Sequence, residues 1–145
     1  MNEHPETLFQ RQIFDLARVT GWVWWHFHDS RREIVAGDGT RRLIGDTSAE
    51  GWVDLVLVGA HGALFRELKT DKGTVSLGQL RCVLALHDAG ENADVWRPRD
   101  WPLIERTLTS KRPTGIDLSE RIAVLRRGYE VRAVRAAVLG RGRGR

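Results

Sequence analysis

Residues 51–70, GWVDLVLVGAHGALFRELKT, hold two apolar runs around a tight, glycine-bearing turn, and no other stretch narrows the possible folds as sharply. Val53 to Val58 and Ala63 to Lys69 have the length and aliphatic content of strands. With the turn at residues 59–62, Val58 faces Ala63, and the same register sets Asp54 opposite Glu67. Strand side chains alternate between faces. Asp54, Val56, Val58, Phe65, Glu67 and Lys69 therefore share one face, and Val53, Leu55, Leu57, Leu64, Arg66 and Leu68 the other. Both faces are mostly apolar, as in an interior strand pair covered on both sides. The chain is expected to be α/β, with helices flanking a mixed central sheet.

The surrounding residues supply those helices. Phe9, Ile13, Leu16 and Ala17 recur at helical spacing behind Pro5, predicting a helix to about Thr20 that Gly21 ends. WVWWHFH (22–28) is aromatic and β-branched and reads as a strand. Residues 29–51 are rich in glycine and charge and read as one long loop. Ser76 and Gln79 have capping-box spacing and open a helix to about Ala89, which Gly90 stops. ADVWRP is a short strand closed by Pro98, and Asp100, Trp101 and Pro102 start another helix to about Leu108. TSKRPTG is a linker, and Leu118, Ile122, Leu125 and Tyr129 place a last helix over residues 117–139, interrupted by Gly128. The order is αβββαβα followed by a tail helix. The expected organisation is one domain over residues 1–110 and a basic helix with a flexible tail over residues 111–145.

Charge divides along the same line. Residues 1–110 carry 13 Lys+Arg against 16 Asp+Glu, and residues 111–145 carry 10 against 3. A near-neutral body with a basic end suggests a polyanion partner, although a tail that only aids solubility would look the same. The sequence has no apolar run long enough to span a membrane, and its polar, acidic start argues against a secretory signal. A single cysteine, Cys82, forms no intrachain disulfide and reads as a small core or boundary residue, so a reduced, cytoplasmic setting is expected.

The acids on the apolar hairpin need an explanation. Directly opposed residues have Cβ atoms ~4.5–5.5 Å apart, where two carboxylates repel. Lys69 offers one compensating charge, and a divalent cation a better one, since paired carboxylates are hard ligands suited to Mg²⁺. A metal with an adjacent lysine suits phosphodiester hydrolysis. A solvent-facing hairpin with a Lys–Glu pair has the same spacing, but Val56, Val58 and Phe65 on the same face do not describe a wet surface.

GWVDLVLV…GALFRELKTDKGTVSLGQL resembles the core of the VRR-NUC family of the PD-(D/E)XK nuclease superfamily: G-x-x-D, then E-L-K, then a glutamine on the next helix. QRQIFDLARVTGW before the core and ADVWRPRDWPLIERTL after it extend the resemblance over roughly residues 6–108. It implies a restriction-endonuclease-like sheet and a Mg²⁺-dependent endonuclease in which Mn²⁺ can substitute. By position, Asp54 and Glu67 resemble the family's metal ligands, Lys69 its catalytic lysine and Gln79 its active-site glutamine. Glu6 resembles the first-helix glutamate that completes the acidic site, and the Leu68 backbone carbonyl would also face the metal. Glu6 equally suits the first turn of a helix as an acid favoured by the dipole. Two departures stand out: Val53 occupies a position where the family usually has proline, and residues 36–50 form a longer connection. Stand-alone relatives act as homodimers on branched DNA such as four-way junctions, which implies DNA and a second copy as partners, and a prokaryotic or phage genome as source.

Arg31 and Arg32 after the first strand, Lys72 beside the active strand, and Arg126 and Arg127 on the tail helix are the candidate phosphate contacts. Arg121, Arg132 and Arg135 extend that basic helix, whose apolar stripe could also pack on the body or on a second subunit. His26 and His28 share a strand face but lack the further ligands a zinc site needs, and His61 is expected to be exposed in the hairpin turn. The tryptophans are core and interface material first, with base stacking the alternative. A second function remains open: a nucleic-acid-binding or assembly module without cleavage, in which the acids serve structure only.

Overall fold

The computed structural model describes residues 4–27, 32–35, 41–44 and 51–142, and side chains for 4–27 and 51–140. Helix α1, Pro5–Thr20, is opened by His4, whose side chain accepts from the Glu6 N–H, and closed by Gly21 at φ 84°. That left-handed conformation favours glycine. Phe9, Ile13 and Ala17 are its buried stripe. The chain turns into β1, Val23–His26, through Trp22, whose indole N–H donates to the Leu108 carbonyl at 2.9 Å.

The central sheet has strand order β1-β4-β5-β6, with β4 at Leu55–Gly59, β5 at Gly62–Leu68 and β6 at Asn92–Trp96. Strands β1, β4 and β5 run antiparallel, and β6 joins β5 in parallel. The β4/β5 hairpin pairs Val58 with Ala63, Leu57 with Leu64 and Leu55 with Arg66, the register read from the sequence. Between β5 and β6 the chain crosses through α2, Leu77–Asp88, which carries the full capping box of Ser76 and Gln79. A 3-10 turn at Pro98–Asp100 leads into α3, Trp101–Thr109, and α4 is a 24-residue helix, Ser119–Gly142.

Two cores sandwich the sheet. On one side Phe9, Ile13, Trp22, Leu55, Leu57, Leu64, Leu68, Trp96, Ile104 and Leu108 join α1 and α3 to it. On the other, Val75, Leu80, Val83, Leu84, Val95 and Ile122 join α2 and the first turn of α4. Arg66 is the charged member of the first face and is only 2 % exposed. Its guanidinium donates to the Asn92 carbonyl and side-chain oxygen at 2.6 and 2.7 Å and lies over the Trp96 ring. Burial pulls its pKa down to about 10. Neighbouring Asp94, 1 % exposed, is held by Arg121 of α4 at 2.6 Å, and Arg121 also bonds Asp100 and the Val95 carbonyl.

Four local expectations change, the first being the break at Gly128, through which α4 runs as one helix. The segment 29–51 is not one loop: it contains a two-stranded ribbon, β2 (Arg32–Val35) and β3 (Arg41–Ile44), paired antiparallel. The aliphatic pairs Ile34, Val35 and Leu43, Ile44 flank a Gly-Asp-Gly turn sequence, a hairpin signal that the surrounding charge obscures. His61 is half-buried, not exposed: its ring meets Trp22 edge-on and Nε2 donates to the Thr107 carbonyl at 3.0 Å. Arg121 is a structural clamp rather than a free phosphate contact, because the buried Asp94 needs a cation.

Candidate active site

Strand β4 begins at Leu55, so Asp54 stands one residue outside the ladder. There its side chain takes over from the backbone: Oδ2 accepts from the Leu68 N–H at 2.9 Å. The Asp54 carbonyl in turn accepts from the Phe27 N–H at 2.7 Å. Asp54 is thus pinned from both neighbouring strands at the end of the hairpin, across from Glu67.

Glu67 lies near the end of β5 with no exposed surface. Neither carboxyl oxygen has a hydrogen-bond partner among the described residues. Lys69 Nζ lies 3.4 Å from Oε1, an ion-pair contact, and its side chain is 22 % exposed. Burial, and then the negative charge of Asp54, push the Glu67 carboxyl up to about 8, against a smaller opposing pull from Lys69. Two acids and a lysine therefore meet at one point, Glu67 fully buried and Asp54 and Lys69 half-buried. Leu68, whose carbonyl the resemblance assigns to the metal, sits between Glu67 and Lys69 in the chain.

The donor chemistry fits a hard divalent cation: two carboxylates, one of them buried with neither oxygen hydrogen-bonded and only Oε1 ion-paired. The set is incomplete, because no group of three or more Asp, Glu, His or Cys side chains that could hold a metal forms among the described residues. Glu6 lies in the first turn of α1, half-buried. Gln79 is half-buried at the start of α2, and its side-chain oxygen accepts from the Ser76 N–H at 2.9 Å. Its capping role is plain, and its amide NH₂ is what it can offer a substrate.

The candidate phosphate contacts fall on several separate elements. Arg31 lies outside the described residues, and Arg32 opens β2. Lys72 is exposed on a turn that Arg97 fixes by donating to the Thr70 and Gly73 carbonyls at 2.6 and 2.7 Å. Arg126 is paired with Asp88 of α2 at 2.6 Å, and Arg127 is exposed. His26 packs its ring on Phe14 of α1, while His28 lies outside the described residues. Sequence reasoning missed the aromatic surroundings: Trp52 meets both Phe27 and Phe65 edge-to-face, at 6.2 and 6.1 Å. The available signal was position, since Trp52 and Phe65 each stand two residues before an acid of the pair. Cys82 of α2, half-buried, also faces the site, and its thiol is pushed up by burial first, with Glu67 adding to the shift. Compared with models of known families, with curated proteins and with solved structures, the chain gives no match.

Proposed function

We propose that this chain is a metal-dependent endodeoxyribonuclease that hydrolyses phosphodiester bonds in branched DNA, four-way junctions in particular. The observation that carries the reading is Glu67: a carboxyl with no exposed surface and no hydrogen bond to either oxygen, ion-paired through Oε1 to Lys69 and set against Asp54. Leaving a buried polar group unpaired is costly, and a bound cation would remove that cost. Asp54, Glu67 and the Leu68 carbonyl would hold Mg²⁺, or Mn²⁺ in its place, with Glu6 as the further ligand that the resemblance implies. When bound, the metal would polarise a phosphoryl oxygen and supply a water acidic enough to attack phosphorus. Lys69 would stabilise negative charge growing on the phosphate, and the Gln79 amide would orient the strand. Arg31, Arg32, Lys72, Arg126 and Arg127 would hold flanking phosphates.

Two active sites suit a two-stranded substrate, so a homodimer belongs to the same proposal. Helix α4 offers a surface for it. Val124, Val131, Val134 and Val138 follow seven-three-four spacing and are 59–64 % exposed, the a and d pattern of a helix pair. In a parallel pair, Glu130 of one copy would approach Arg135 of the other.

Labelled four-way, flapped and linear duplex DNAs incubated with Mg²⁺, Mn²⁺ or EDTA test the reading. Metal-dependent junction cleavage that Glu67→Gln abolishes, with binding retained, is the expected result. Binding without cleavage under either metal would instead support the second reading, a binding or assembly module. That reading draws on Asp54, whose Oδ2 already serves the Leu68 N–H, and on the missing third ligand among the described residues.

A further inference from the structure

Edge strand β1 wears its apolar residues on the outside. Val23, Trp25 and Phe27 are 57, 54 and 43 % exposed, while Trp24 and His26 between them pack on Phe14 of α1. The same face runs on across the sheet: Val23 pairs with Val58, itself 41 % exposed, and Trp25 pairs with Val56, which pairs with Phe65, both half-buried against the second core. Trp52, 37 % exposed, closes the row by resting edge-on against Phe27 and Phe65. A contiguous exposed patch of this kind marks a binding surface.

Its place says what it binds. The patch ends at the acid pair: the Phe27 N–H is bonded to the Asp54 carbonyl, and Phe65 lies two residues before Glu67 on the same face of β5. Residues two apart on a strand are ~7 Å apart. A polymer whose phosphate sits at Lys69 therefore has its adjoining group over the aromatic rings. A cation for a phosphate, Lys69, and flat rings for bases stand at one end of the sheet, which is the composition of a single-strand platform. A paired base in a duplex shows only its edges, whereas these rings need an exposed base face.

We infer that Trp25, Phe27 and Trp52 form a stacking shelf for unpaired nucleotides next to the scissile phosphate, so that the preferred substrate has unpaired bases at the cleavage point. The inference rests on the nuclease reading for its substrate class. It is tested in EDTA, where nothing is cut, with a labelled oligothymidylate and a blunt duplex of matched length. Wild-type tryptophan fluorescence should be quenched by the single strand and not by the duplex. Trp25→Ala and Trp52→Ala should each weaken single-strand binding on the order of tenfold, with duplex binding and thermal midpoint unchanged. Trp25→Phe should retain most of the affinity. Val19→Ala, at another exposed apolar side chain, 84 % exposed on α1, should change nothing.

Equal loss on both DNAs, or no loss on either, overturns the shelf. So does a wild-type dimer that Trp25→Ala turns into a monomer with DNA binding intact, since the patch would then be a subunit interface. If either alanine variant does not fold, the wild-type quenching decides alone. Repeating the series with Mg²⁺ separates the two claims. A shelf that binds single strands in a protein that never cleaves leaves this inference standing and removes the nuclease reading.

Discussion

Glu67 has its carboxyl raised to about 8 in the fold, against 4.5 for an ordinary glutamate. In the absence of metal the folded chain therefore holds a proton that the unfolded chain releases as pH rises between those values. Stability should fall across that window, by on the order of a few kcal/mol, and level off above it. Glu67→Gln should abolish most of this slope and be the more stable protein above pH 8 in EDTA. Urea unfolding at a series of pH values measures both, and parallel profiles for the two proteins would contradict the placement of Glu67. Bound Mg²⁺ should stabilise the wild type most above pH 8, where it no longer competes with the proton. A second residue prediction concerns Gly59, where an added Cβ would fall 2.4 Å from the Trp22 ring. That ring is buried and anchored to Leu108. Gly59→Ala should cost about 1–3 kcal/mol in denaturant unfolding. The opposition of Asp54 and Glu67 was legible in the sequence because side-chain alternation needs only the turn position. The bond from the Leu68 N–H to Asp54 was not, since it depends on β4 starting at Leu55, two residues after Val53.

Among the elements, α1, α2, α3 and the β4/β5 hairpin were readable from caps, glycines and periodicity, all of them local signals. The β2/β3 ribbon was hidden because its short aliphatic runs lie among charges that read as loop. The role of Arg121 was hidden for a different reason. Its partner Asp94 lies 27 residues away on β6, and only the packed fold brings α4 against that strand. Removing one partner of such a buried pair leaves an uncompensated charge. Arg121→Ala should therefore destabilise by about 3 kcal/mol, whereas Arg127→Ala, at an exposed position, should leave stability unchanged and only weaken DNA binding. Equal unfolding midpoints for Arg121→Ala and the wild type would contradict the clamp.

At the scale of the molecule, α4 joins the body through Ile122, Leu125 and Tyr129, through Arg121 and the Arg126 pair with Asp88, and through Arg132, which donates to the Val75 carbonyl. Its far half also carries the exposed Val131, Val134 and Val138. If that half pairs with a second copy, Val131→Asp with Val134→Asp should give monomers by sedimentation without loss of thermal stability. Glu130→Arg should weaken the dimer, and adding Arg135→Glu should restore it. No membrane-spanning helix is found among the described residues, as none is long and apolar enough. The claim on which the functional reading turns is that Asp54 and Glu67 together hold a divalent cation. Crystals grown with Mn²⁺ and measured for anomalous scattering test it most directly. A peak within bonding distance of oxygens from both carboxylates, absent in Glu67→Gln crystals, is the expected result. No anomalous peak at this point, with the two carboxyls within hydrogen-bond distance of each other and Mn²⁺ bound elsewhere or nowhere, would contradict it.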